Sequence, residues 1–404
     1  TLQCLSQIQN LVIYFKNNQH VINRIYEYGQ KNQACLSESF KYLIDNLWPE
    51  QYSTNHIKNS NNYYFAPNEF KNKISSMNPL FQGVQANDAK DLVNFIIMTL
   101  HEELNERQKN PNVQNLNMNI NQTNEQMMLN NFMGSFFGEN KSIISDTFYG
   151  VHHTTTKCSN CPYIKHNFEA YFFLIFPLEE VRKFKIQFLT NRNMVISQTV
   201  QQMNQNMMMN MNNQMNMNQI NQNIMQLKQE FANNTNKINL LNSNMVDIYD
   251  CFDYNQKPEV FTGDNSMYCD FCKNTFPSTF TTTLYNGPDV LIVVLNRGQG
   301  IQFKVKLKFD FQLNLFNHLE NKNSVVMYEL IGVVTHMGES GAAGHFIATC
   351  KCPANGGWYQ FNDDLVFPVS NFNEQLLNYA MPYILFFKKI NMNNNIMMNN
   401  NNMM

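Results

Sequence analysis

The sequence predicts an α+β domain: a helical N-terminal part, an antiparallel β C-terminal part, and a metal-binding ribbon between them. Three observations carry this prediction. Apolar residues recur at helical spacing near the start of the chain, Val, Ile and Phe alternate with polar residues from Val290 onward, and two Cys-x-x-Cys pairs lie in the middle.

Leu5, Ile8, Leu11, Val12 and Phe15 share one face of a helix that begins at Leu2. Leu36, Phe40, Leu43, Ile44 and Leu47 form a second apolar stripe, stopped by Trp48-Pro49, and a third helix is expected from about Asn87 to Asn105. Residues 108–131 turn to Asn, Gln and Met, too poor in branched apolar side chains to build a core, and read as a loop. Alternation from Phe168 to Phe176 reads as a strand ending at Pro177. Residues 186–246 are again rich in Asn, Met and Gln and read as a solvated, disordered insert, with transient helix around Ile220 to Phe231. The methionines there also suit an adaptable partner surface. Short alternating segments then run from Val290 to Phe387, the pattern of an antiparallel sheet, and the tail 391–404 is Asn and Met with nothing to pack.

Length and charge narrow the function classes. At 404 residues the chain can bury a large core. A formal net charge of -2 and a pI near 6.5 supply no cationic surface for phosphate backbones or anionic lipids, so neither nucleic acid nor membrane is an expected partner. No apolar run approaches the roughly 20 residues of a membrane span, and the first residues form no secretion signal, so a cytoplasmic or nuclear location is expected. Thr1 opens directly into a helical pattern, so further chain is expected before it.

Nine cysteines are an odd number, and four of them fall in Cys158-Ser159-Asn160-Cys161 and Cys269-Asp270-Phe271-Cys272. Each pair places two thiolates one tight turn apart, and two such pairs close a tetrahedral site for one structural zinc ion. The insert between them can loop out and leave the halves on adjacent hairpins. The alternative is four reduced cysteines in hairpin turns. No open coordination position is implied, so no catalytic cofactor is expected.

Gly344 to Cys350 reads as a strand and Trp358 to Asp364 as its return, with Pro353-Ala354-Asn355-Gly356-Gly357 as the turn. Such a hairpin brings His345 close to Asn362 and Asp363. An imidazole whose one nitrogen is held by Asn or Asp has a fixed tautomer and can take a proton from a thiol. Taken alone, a histidine at a strand start is more often structural.

The flanking sequence is more specific. Tyr328-Glu329-Leu330-Ile331-Gly332-Val333-Val334-Thr335-His336, then Gly338, Gly341 and Gly344-His345-Phe346, then Trp358-Tyr359-Gln360-Phe361-Asn362-Asp363 resembles the histidine box of ubiquitin-specific proteases. Phe81 to Leu92, followed by Leu100 to Asn105, resembles the family's Gln-Gln-Asp box and the helix after it, with Ala86 and Asn87 in place of the glutamines. Leu295-Asn296-Arg297 and Tyr383-Ile384-Leu385-Phe386-Phe387 resemble two further family strands.

The resemblance implies a papain-like thumb, palm and fingers architecture over residues 1–390. The helical thumb would be 1–107, the zinc-ribbon-type fingers 132–185 and 247–289, and the antiparallel β palm 290–390, with 108–131, 186–246 and 391–404 as disordered loops and tail. It implies a monomer acting on ubiquitin and ubiquitin-conjugated proteins, with His345 as base and then acid, Asn362 orienting it, Asp363 assisting, and Asp88 contacting the ubiquitin tail. It assigns His336, the competing base candidate, to structure. The glycine-rich loop after His336 is either a flap over an extended peptide or an ordinary loop.

One departure bears on activity. Leu2-Gln3-Cys4-Leu5 matches the helix that follows the family's cysteine box, so the nucleophile and the oxyanion-hole asparagine would lie before Thr1, and the 404-residue chain is expected not to hydrolyse. Cys4 shares a face with Ile8, Leu11 and Phe15, Cys350 and Cys352 alternate away from His345, and Cys35 and Cys251 carry no motif. One rival reading is a catalytically dead ubiquitin-binding protein. A zinc-ribbon nucleic-acid binder is the other, and Lys157, Lys165 and Lys273 are too sparse for it.

Overall fold

The computed structural model describes residues 1–17, 19–31, 35–48, 65–83, 87–106, 124–209, 214–298, 304–322, 326–338, 344–370 and 381–390. The helical part comprises α1 (Leu2–Ser6), α2 (Gln9–Asn17), α3 (Gln19–Lys31), α4 (Leu36–Leu47), α5 (Asn68–Met77) and α6 (Ala89–Leu104). Then follow α7 (Asn124–Glu139), α8 (Ile143–Phe148), β1 (Gly150–Cys158), β2 (Ile164–Tyr171), β3 (Leu174–Pro177), α9 (Leu178–Met209) and α10 (Gln214–Asn242). The chain continues through β4 (Met245–Asp247), α11 (Ile248–Asn255), β5 (Glu259–Phe261), β6 (Met267–Cys269), β7 (Asn274–Phe276), β8 (Ser278–Asn286), β9 (Val290–Asn296), β10 (Lys306–Lys308) and β11 (Gln312–Asn314). It closes with β12 (Met327–Met337), β13 (His345–Lys351), β14 (Trp358–Asn362), β15 (Leu365–Pro368) and β16 (Met381–Lys389).

The main sheet has the order β15-β14-β13-β12-β16-β9-β3, with β11 also on β12. It is antiparallel except where β3 runs parallel to β9. Successive residues of β9 and β16 are apolar and buried because both faces of this sheet are covered. One face packs on the N-terminal helices through Leu5, Leu11, Phe15, Phe40 and Ile96, and the other on Val181 of α9 and Phe252 of α11. A second sheet, β2-β1-β8-β5, carries the fingers, with the short β6–β7 hairpin beyond it.

The helical face predicted from Leu2 is present but broken: Ile8 sits buried at the break between α1 and α2. The strand expected from Phe168 to Phe176 is two strands, β2 and β3. Within the α4–α6 layer the buried Glu103 carboxylate accepts hydrogen bonds from Leu36 N at 2.7 Å and Ser37 N at 2.6 Å, so α6 supplies the N-terminal cap that Cys35 does not give α4.

Two expectations of disorder are corrected. Within 186–246 the described residues are not a disordered insert: 178–209 and 214–242 form α9 and α10, an antiparallel helical pair, and β4 follows, while 210–213 lie outside the described residues. Leu189, Ile196 and Ile224 are buried along the pair, and Leu178, Val181 and Leu241 root it in the core. Asn193 bonds Thr235 and Asn234, and Arg192 pairs with Glu230. One branched apolar residue per turn or two is enough when two helices share a seam, and Met and Gln are good helix formers, so average composition misled. The helix expected around Ile220 to Phe231 lies inside α10. In 108–131, residues from Asn124 belong to α7, whose Leu129 packs on Val151 and Phe168; residues 108–123 and the tail 391–404 lie outside the described residues.

Candidate active site

The β13–β14 ladder runs from Lys351 opposite Trp358 to Ala348 opposite Phe361, which places the start of β13 beside the end of β14. His345 Nε2 lies 2.7 Å from Asn362 Oδ1. An amide oxygen only accepts, so Nε2 carries the proton and Nδ1 carries the lone pair, which makes Nδ1 the basic atom of the ring. Asp363 Oδ2 lies 3.7 Å from the same Nε2, near enough to stabilise an imidazolium. Asp363 and Asp364 form the two-residue turn into β15, and Asp363 adopts φ 53°, a left-handed conformation that Asp tolerates better than most residues. The three residues singled out from the sequence are therefore brought together.

A cleft of about 510 Å³ opens between the helices and this hairpin. Its walls include Thr1, Leu2 and Gln3 of the first turn, Gly83, Asn87 and Asp88 before α6, and Phe346, Phe361 and Asp363 from the palm. Asp88 caps α6 by accepting from Lys90 N at 2.8 Å, and the Tyr383 hydroxyl donates to both of its carboxylate oxygens at 2.7 Å. The Tyr383 ring packs against Phe346, the neighbour of His345, at 5.4 Å. The role of Tyr383 was not visible in the sequence, where 295 residues separate it from Asp88. Val84, Gln85, Ala86 and Gly341 lie outside the described residues.

His336 does not face the cleft as a second base. It is buried in the β12–β13 ladder opposite Phe346, its ring sits where a side chain on Gly344 would have to go, and burial lowers its basicity. Arg297 is also buried, donating to the carbonyls of Pro382 and Val305, and desolvation pulls it down to about 10. It ties β9 to β16 and the strand start near β10.

None of the cysteines substitutes as a partner for the imidazole among the described contacts. Cys4 and Cys350 touch each other, and Cys350 lies five residues along β13 from His345, roughly 17 Å at strand spacing. Burial pushes the Cys35 and Cys251 thiols up.

The four remaining predicted ligands also converge. The sulfurs of Cys158, Cys161, Cys269 and Cys272 all lie within 4.8 Å of one another, at the ends of β1 and β6 and in the turns after them. Backbone N–H groups of Asn160 and Cys272 point at the sulfurs of Cys158 and Cys269, and the Cys272 N–H draws the Cys269 thiol down to about 7. Four soft donors in a closed cluster, two of them N–H-bonded as thiolates are, fit a tetrahedral metal such as zinc.

The sequence model of the family described as ubiquitin carboxyl-terminal hydrolase matches residues 1–387. The chain belongs to that family. Among its relatives are the ubiquitin carboxyl-terminal hydrolase Usp2 of Drosophila melanogaster, 23% identical over 394 residues, and human ubiquitin carboxyl-terminal hydrolase 2, 22% identical over 395. Each match takes in 96% of this chain but only 33% and 52% of the respective relative, so this hydrolase-family chain spans a third to about half their length. A solved SAGA DUB module of Ubp8, Sgf11, Sus1 and Sgf73 bound to monoubiquitin contains a chain with the same fold, with a TM-score of 0.56 at 18% identity over 96% of this chain and 66% of that one. A second, from yeast SAGA, superimposes with a TM-score of 0.54 at 17% identity, over 96% of this chain and 65% of that one. The hydrolase family's thumb, palm and fingers correspond here to the helical part, the main sheet and the β2-β1-β8-β5 sheet.

Proposed function

We propose that this protein is a deubiquitinating cysteine protease, which hydrolyses the peptide or isopeptide bond after the C-terminal glycine of ubiquitin. The 2.7 Å contact between His345 Nε2 and Asn362, next to the cleft-lining Phe346, Phe361 and Asp363, carries the reading. His345 Nδ1 takes the thiol proton of a cysteine nucleophile, the thiolate attacks the carbonyl, and the imidazolium, oriented by Asn362 and stabilised by Asp363, returns the proton to the departing amine. Water, deprotonated by the same nitrogen, then releases ubiquitin. Asp88 holds backbone amides of the extended tail in the cleft. The Cys158, Cys161, Cys269 and Cys272 thiolates would hold one zinc ion that cross-links the fingertip and takes no part in bond cleavage. Ubiquitin and its conjugates are the partners, the protein acts as a monomer in the cytoplasm or nucleus, and no catalytic cofactor is used.

The decisive experiment measures release of a fluorophore from the C-terminus of ubiquitin by the native protein purified from its cells. Turnover abolished by His345→Ala supports the protease; saturable ubiquitin binding with no turnover supports the non-catalytic binder. That second reading draws on one observation: no cysteine of this chain is placed against His345 among the described contacts. Turnover by the 404-residue chain itself would show that one of its own cysteines serves as the nucleophile.

A further inference from the structure

Beneath the cleft, α1 and β13 meet at a pair of thiols. The Cys350 sulfur lies 3.5 Å from that of Cys4, and both residues are buried, at 1% and 3% exposure. The contact depends on Gly332, which stands opposite Cys350 in the β12–β13 register: a side chain there would come within 3.3 Å of the Cys4 sulfur. Glycine thus leaves the notch in which the Cys4 sulfur sits. Cys350 also borders a second cavity of about 630 Å³ together with Gln3, Cys352 and Tyr359. This cavity adjoins the cleft, and Gln3, Pro67, Phe361 and Asp363 line both.

We propose that Cys4 and Cys350 form a thiol–disulfide site, oxidised by hydrogen peroxide that reaches the pair from the second cavity. The Cys350 sulfur attacks one peroxide oxygen: an S–O bond forms, the O–O bond breaks, and the thiol proton leaves with the departing hydroxide as water. The Cys4 sulfur then displaces hydroxide from the Cys350 sulfenic acid: the S–S bond forms, the S–O bond breaks, and the Cys4 proton leaves in a second water. The two thiols lose the two electrons that the peroxide gains. The sulfurs would close from 3.5 Å to about 2.05 Å.

The bond would clip the helix whose first turn walls the cleft to the strand that begins at His345. The cleft would then be held at one width, and the clip would be released by a dithiol reductant. Cys352, two residues along and more exposed, is the competing partner.

Folded 404-residue protein is treated with hydrogen peroxide, unfolded in an alkylating agent, digested and analysed by mass. The expected product is a peptide pair linked through Cys4 and Cys350 and lighter by two hydrogens, split by dithiothreitol and absent from Cys4→Ser and Cys350→Ser, yet present in Cys352→Ser. Oxidised wild type melts a few degrees higher than reduced wild type, and Cys4→Ser shows no such rise. The proposal is overturned if Cys4 and Cys350 are both alkylated at peroxide doses that oxidise Cys352, if Cys350 links to Cys352 instead, or if the Cys4–Cys350 link appears only when peroxide is added to unfolded chain. Circular dichroism of each serine variant, matched to wild type, separates loss of the link from loss of the fold.

Discussion

Tyr383 on β16 donates its hydroxyl to both carboxylate oxygens of Asp88 at the head of α6, so one phenol joins the palm to the thumb across the cleft. Burial and the neighbouring carboxylate push the Tyr383 phenol far up, which keeps it a donor at any physiological pH. The helix cap at Lys90 N takes a further part of the Asp88 acceptor capacity, which leaves the carboxylate fixed in direction.

Tyr383→Phe removes the donor and leaves the ring against Phe346. The expected cost is about 1–2 kcal/mol in denaturant unfolding, the range for a hydrogen bond to a charged group in a half-exposed site. On the proposed function, ubiquitin affinity falls as well, and Asp88→Asn added to Tyr383→Phe costs little more than either change alone. Full additivity in calorimetric titration would show that the two residues act separately.

Glu103→Gln should destabilise by about 2 kcal/mol, because the amide keeps one acceptor and turns an N–H toward the backbone N–H groups of Leu36 and Ser37. Urea unfolding reads this, with an unchanged slope if only the native state is affected.

His152 sets an acid limit. Its ring stacks on Tyr171 at 4.3 Å, and burial pulls its pKa from 6.5 down to about 4, while Glu169 pulls the other way. The folded state therefore favours the neutral ring. Its contribution is fully present above pH 6.5 and is lost as pH falls toward 4, by up to about 3 kcal/mol. His166, lowered by burial and by His153, moves in the same direction. His152→Phe should flatten the melting-temperature profile between those two pH values; an unchanged profile would exclude His152 as the source.

Metal analysis should return one zinc per chain, and less than about half an equivalent would sink the four-cysteine site. Stripping the metal or making Cys272→Ala should open protease sites in 158–165 and 267–276 while the main sheet melts as before, since the β6–β7 hairpin is too short to hold itself.

Ile224→Asp places a charge in the α9–α10 seam. Limited proteolysis should then cut within 178–242, whereas the palm core around β9 and β16 stays protected. Resistance equal to wild type would mean the seam is not what orders the hairpin.

The chain itself specified several parts whose signal is local. The periodicity of Leu36 to Leu47, the alternation from Val290 to Phe387, the Cys-x-x-Cys spacings and the hairpin that carries His345 to Asn362 each fit within a stretch in which neighbouring residues determine one another's positions. What the fold decided were contacts between segments tens to hundreds of residues apart. These are the Glu103 cap on α4, the Tyr383–Asp88 bridge, the Cys4 sulfur in the Gly332 notch beside Cys350, and the order of an Asn- and Met-rich pair of helices that looks unable to fold when read as composition. A single strand or helix shows which of its faces is apolar, but only packing determines which polar group is buried opposite which other, because desolvation and hydrogen bonding depend on three-dimensional neighbours.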